Sequence, residues 1–160
     1  MQDQVLCTVK ASGARRIFGV GVLMLLGAML IYIAFAQPPH NMGWQIFLVL
    51  MGAGALYLGD KMRRATLVAL ELTETTLRDS NGMVLVEIAD IRSTDRGTFA
   101  FKPSNGFILR LNSRATRVWQ PGLWWRMGKR IGVGGVTSAG ETKQMAEMIS
   151  GLVAMRDGEL

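Results

Sequence analysis

Apolar and polar positions divide the chain into three regimes. Residues 17–36 (IFGVGVLMLLGAMLIYIAFA) are a run of 20 without a charged side chain. As a helix rising ~1.5 Å per residue it reaches about 30 Å, the thickness of a bilayer's hydrocarbon core. Residues 42–59 (MGWQIFLVLMGAGALYLG) are a second run of 18 in which Gln45 is the one strongly polar member. Together they predict a two-helix transmembrane hairpin over residues 17–60. From Leu67 to about Val136 the period changes to two, the pattern of half-buried strands. From Ser138 it changes again: Met145, Met148, Ile149, Leu152 and Met155 recur at helical spacing, with Lys143, Gln144, Glu147 and Ser150 between them.

The strand region breaks into short pieces. LVALELT and TLRD flank Glu74-Thr75, and Asp79-Ser80-Asn81-Gly82 reads as a hairpin turn because Asn-Gly supplies positive φ at low cost. MVLVEIADI, TFAFK, FILRLN, TRVWQ, LWWRM and KRIGVGG follow, separated by turn residues such as Pro103-Ser104-Asn105-Gly106 and Pro121-Gly122. The prediction is six or seven antiparallel strands closed by one C-terminal helix that Ser138 and Glu141 open as a capping box. Gly151, inside that helix, costs up to about 1 kcal/mol relative to alanine, so the helix needs a sheet to pack against.

Charge sets the topology. Lys10, Arg15 and Arg16 precede the first run and Lys61, Arg63 and Arg64 follow the second, whereas Gln37-Pro38-Pro39-His40-Asn41 between them has neither lysine nor arginine. Cationic residues near helix ends are retained on the cytoplasmic side. Both termini are therefore predicted to be cytoplasmic: a segment 1–16, and a domain 66–156 after the hairpin. Basic residues, an apolar run and Ala34-Phe35-Ala36 also have the outline of a cleavable signal peptide. The run is long for that role and a second follows at once, which favours an uncleaved hairpin.

The order of elements carries a resemblance. Leu70-Glu71-Leu72-Thr73, Leu77 and Gly82, followed by Ile88-Ala89-Asp90-Ile91-Arg92, give a pattern similar to that of the bacterial pleckstrin-homology-like (PH-like) domains that follow membrane hairpins. The resemblance covers residues 66–156. It implies an α+β, mainly antiparallel PH-like domain of two nearly orthogonal sheets plugged by the helix, in a bacterial inner-membrane protein. It further implies a scaffold or binding role in place of catalysis, with no particular ligand.

Composition narrows the chemistry. One cysteine, Cys7, excludes an internal disulfide, and with the one histidine, His40, on the opposite side of the predicted membrane it cannot build a Cys/His metal site. The eleven methionines fall largely in the apolar runs or the helical stripe, where the thioether is a packing group; no metal or cofactor is predicted. Residues 128–135 (GKRIGVGG) lack the spacing and the hydroxyl of a phosphate loop. Residues 66–160 contain neither histidine nor cysteine, so no catalytic residue and no small-molecule substrate is predicted. A net charge of +6 and a pI near 10.1 invite a nucleic-acid reading. No such motif accompanies them, and basic cytoplasmic segments are ordinary in membrane proteins.

The acids and bases of the strand region are segregated. From Arg96 to Gly140 there are eight basic side chains and no aspartate or glutamate. Arg110, Arg114, Arg117, Arg126, Lys129 and Arg130, with Trp119, Trp124 and Trp125 interleaved, are the candidate contacts to a partner or to anionic lipid. Trp124 and Trp125 point to opposite faces of a strand, so at most one is expected to be exposed. In the runs, Gly19, Gly27, Gly52, Ala55 and Gly59 are candidate helix-packing positions. The expected function is a non-catalytic accessory, assembly or stabilising subunit of a larger integral membrane protein complex. The alternative is a membrane-tethered module that binds anionic lipid headgroups.

Overall fold

The computed structural model describes residues 4–95 and 103–158. Two long helices, α1 (Gly13–Ala36) and α2 (Met42–Ala65), are long and apolar enough to cross a membrane. Both are longer than the apolar runs: α1 begins on Gly13-Ala14-Arg15-Arg16 and α2 continues through Asp60-Lys61-Met62-Arg63-Arg64, where Asp60 pairs with Arg63 and Arg64. Asn41 caps α2, its side-chain oxygen accepting from Gly43 N–H at 2.8 Å. Gln45 donates at 3.0 Å to the Ala34 carbonyl, one of the acceptors left without a partner in the last turn of α1. The one strongly polar side chain of the second run thus serves the first helix.

The remainder is α+β. Strands β1 (Cys7–Val9), β2 (Leu70–Leu72), β3 (Thr76–Asp79) and β4 (Val84–Glu87) form one antiparallel sheet in that order. After a single 3-10 turn at Ile88–Asp90, β5 (Ile91–Asp95), β6 (Phe107–Gln120) and β7 (Trp124–Val133) form a second, and α3 (Ala139–Asp157) follows. Thr73 is fully buried because its hydroxyl accepts the amides of Thr75 and Thr76 in the β2–β3 turn. Asp79 does the same at the β3–β4 turn, accepting Asn81 N–H at 3.0 Å and Met83 N–H at 2.8 Å, with Gly82 at φ +88°.

The strand that sequence periodicity did not identify is β1. It lies before the hairpin and pairs with β2, Cys7 opposite Leu72 and Val9 opposite Leu70, so α1 and α2 are inserted between two neighbouring strands of one sheet. Val9 is fully buried in the core with Leu70, Leu72, Leu77, Ile91, Leu109, Trp124, Ile131, Met145 and Ile149. Of the predicted pieces, FILRLN and TRVWQ merge into β6, LWWRM and KRIGVGG merge into β7, and TFAFK lies outside the described residues.

Helix α3 packs on this core through Met145, Ile149 and Val153, whereas Met155, expected in its buried stripe, is 68 % exposed. The capping box is absent. Ser138 is the N-cap but its hydroxyl makes no capping bond, and Glu141 instead accepts the backbone N–H of Lys10 at 2.8 Å. Ser138 N–H donates to the Lys10 carbonyl, so the residue leading into α1 is clasped by the start of α3 from both sides. At the other end of α3, Arg156 donates to the carbonyls of Ile88, Ala89 and Ile91, fixing the 3-10 turn that joins the sheets.

Candidate functional site

The basic segment is carried by β6 and β7. Pairing runs from Phe107 opposite Val133 to Gln120 opposite Trp124, but between Arg110–Arg130 and Ala115–Gly128 residues 111–114 are opposed by Lys129 alone. That irregularity, with Gly128 at φ +60°, bends the ribbon back on itself. Its tip then returns to its base: Gly134 N–H donates to the Leu123 carbonyl at 2.9 Å and Val136 N–H to that of Gly122 at 3.0 Å. The two halves of the bent ribbon present their cations in different places.

The first group lies beside the hairpin. Gly122 sits against Met62 and Thr66 at the end of α2, and the Lys61 ammonium stands 4.9 Å over the Trp119 ring. Trp119 is half exposed. With Arg117, Val118, Trp125, Arg126 and Met127 it lines an open cleft of about 420 Å³. Trp125 packs across Gly132, where any side chain would collide with the indole. Trp124, its neighbour, is buried in the core at 2 % exposure and is not a contact residue. Arg126 forms one wall of the cleft but its guanidinium is engaged by the fold. It donates to the Leu85 carbonyl at 2.7 Å, to the Thr116 carbonyl at 2.9 Å and to the Thr116 hydroxyl at 2.8 Å, bridging β7 to β4 and β6.

The second group is displaced toward the other end of the domain. Arg110, Lys129 and Arg130 line a cleft of about 400 Å³ with Arg92, Ser93 and Leu111. Arg110 also reaches Asp95 at 3.2 Å. This half of the ribbon ends at Ser113, which bonds Asp90 through its amide and, at 2.6 Å, its hydroxyl. Asp90 belongs to the turn held by Arg156 at the end of α3, and a 19-residue helix separates that point from the Lys10 clasp by about 28 Å.

Comparison of the chain with protein-family models, with curated proteins and with solved structures returns no match in any of the three. Arg114 is exposed near the bend and lines neither cleft. Arg92, Lys61 and Met127 also belong to these sites; the sequence does not single them out, since Arg92 lies before the acid-free stretch and Lys61 also serves as a charge flanking the second apolar run. Cys7 is half-buried in β1, and burial pushes its thiol above the ordinary value. Among the described residues no group of three His, Cys, Asp or Glu side chains gathers as metal ligands would.

The small residues of the hairpin have separate roles. A Cβ on Gly27 would stand 2.8 Å from the Gly52 carbonyl oxygen, and one on Gly52 2.9 Å from that of Gly27, so the two backbones touch. Gly59 meets Leu23 and Met24, and Gly19 meets Met62. These four hold α1 to α2. Ala55 is half-buried beside them, while Gly21 and Gly54 face open space.

Proposed function

We propose that this chain is a non-catalytic accessory, assembly or stabilising subunit of a larger protein complex of a bacterial inner membrane, with a PH-like cytoplasmic domain as its docking module. The observation that carries the reading is the cleft of Trp119, Trp125 and Met127, rimmed by Arg117, at the end of α2. Tryptophan, methionine and arginine are the residue types enriched where proteins bind one another, and tryptophan and arginine supply most of the energetic anchors. In this reading the cleft meets the segment by which an integral partner leaves the bilayer. Insertion of the hairpin between paired strands β1 and β2 supports a topology with both of its ends on one side. The arginine and lysine bias supports that side being the cytoplasm.

The test is extraction of a C-terminally tagged full-length chain from native membranes in mild detergent, with mass spectrometry of the stoichiometric partners. A defined membrane complex should co-purify with the wild type and be lost from the Trp119→Ala, Arg117→Glu double variant. Recovery of the wild-type chain alone as a monomer overturns the reading.

A second reading is favoured by the Lys61–Trp119 contact, because a cation stacked on a half-exposed indole at a helix end is the composition of a membrane interface. Here the same cleft rests on anionic headgroups, each basic side chain contributing about 1 kcal/mol near the surface. Arg117→Gln with Lys61→Gln should then reduce the protection of Trp119 from aqueous quenchers in vesicles containing phosphatidylglycerol and leave it unchanged in neutral ones.

A further inference from the structure

The second cleft has a construction that packing does not explain. Ser93, Arg110 and Arg130 are direct cross-strand partners on β5, β6 and β7, so their side chains form one row on one face of the sheet. Two arginines directly opposite each other are unfavourable in a sheet, because their Cβ atoms stand about 5 Å apart. Neighbouring positions on a regular strand would point the other way, yet Arg92 and Lys129 line the same cleft. Each sits at a register irregularity: Arg92 between the Ile91–Leu111 and Ser93–Arg110 pairs, and Lys129 between the Ala115–Gly128 and Arg110–Arg130 pairs. Bulges re-aim side chains in this way. Asp95 offsets part of the charge on Arg110. Among the described residues Arg92, Lys129 and Arg130 make no ion pair or side-chain hydrogen bond. Among the described residues four cations and a hydroxyl thus line about 400 Å³, and Asp95 beside Arg110 is the one carboxylate paired with any of them.

We propose that this cleft is a binding site for a phosphate-class anion carrying two or more negative charges. The row of two guanidinium forks matches the oxygens of a phosphate, Lys129 and Arg92 add charge from either side, and Ser93 adds a neutral donor. Such an anion offsets the repulsion between the paired arginines. The site is separate from the tryptophan cleft and does not depend on the docking reading.

The test uses the full-length chain in detergent micelles, titrated calorimetrically with inorganic pyrophosphate. Saturable binding is expected, weakened about tenfold or more by Arg130→Gln and by Arg110→Gln and unchanged by Arg114→Gln, at an exposed position that lines neither cleft. Pyrophosphate should raise the Tm of the wild type. Arg130→Gln alone should raise the ligand-free Tm while diminishing that response, which separates lost binding from lost folding. Reconstitution in nanodiscs with and without phosphatidic acid identifies the source. Competition by the lipid points to a headgroup, and indifference to it points to a soluble phosphate compound; either supports the site. Either of two results overturns it: no saturable pyrophosphate binding, or equal weakening by Arg114→Gln and Arg130→Gln.

Discussion

At Gly27 and Gly52 the missing side chain is the interaction. Each Cβ position is within 3 Å of the other helix's backbone oxygen, and backbone cannot swing aside as a methionine end can. Gly27→Ala or Gly52→Ala should therefore force α1 from α2 and cost about 1–3 kcal/mol, read as a lower Tm in detergent. Gly21→Ala and Gly54→Ala, with nothing within 4 Å, should leave Tm unchanged. Cys7 makes a prediction about pH. Burial favours its neutral thiol, so its folded-state pKa lies above the unfolded value. The stability tied to it is complete below the unfolded pKa and is lost as pH rises through the folded one. Tm of the wild type should fall more steeply at alkaline pH than that of Cys7→Ala, and alkylation of the native thiol at neutral pH should be slow.

Helix α3 separates local signals from tertiary ones. Its sequence opens with serine and glutamate in capping-box spacing, but the glutamate is diverted to Lys10, a residue remote in sequence. Glu141→Ala should cost about 1 kcal/mol and accelerate amide exchange at Lys10, whereas Ser138→Ala should change little because its hydroxyl makes no cap bond. Gly151 has no neighbour within 4 Å of an added Cβ and sits in helical backbone. Gly151→Ala should raise stability by up to about 1 kcal/mol, measured by thermal unfolding. Arg156 acts at the opposite end through three backbone carbonyls, and its partner Asp157 has its carboxyl held below the usual range by that guanidinium.

For the whole molecule the decisive fact is that the hairpin interrupts a sheet. Because β1 precedes α1 and supplies fully buried Val9, residues 66–158 alone lack an edge strand and part of the core. That fragment should be poorly folded by near-ultraviolet circular dichroism. Joining residues 4–12 to 66–158 through a short glycine-serine linker in place of the two helices should give a folded, soluble domain. Equal folding of both pieces would show that β1 is dispensable.

The two apolar runs, the period-two stretch and the turns at Asn81-Gly82 and Pro121-Gly122 were legible in the sequence because each depends on neighbours a few residues away. The segregation of basic residues into 96–140 was equally plain. The sequence left β1 unrecognised because three residues, Cys7-Thr8-Val9, are too few for alternation to register and their partner lies beyond the hairpin. It also left open which cations act together. Across the register break beside Gly128, Arg117 and Arg130 line different clefts, Arg126 is tied to backbone carbonyls and Trp124 is buried. Residue spacing sets which side chains alternate along a strand. Only closure of the two sheets around α3 fixes which of them share a cleft, because that closure is set by buried contacts between residues far apart in the chain.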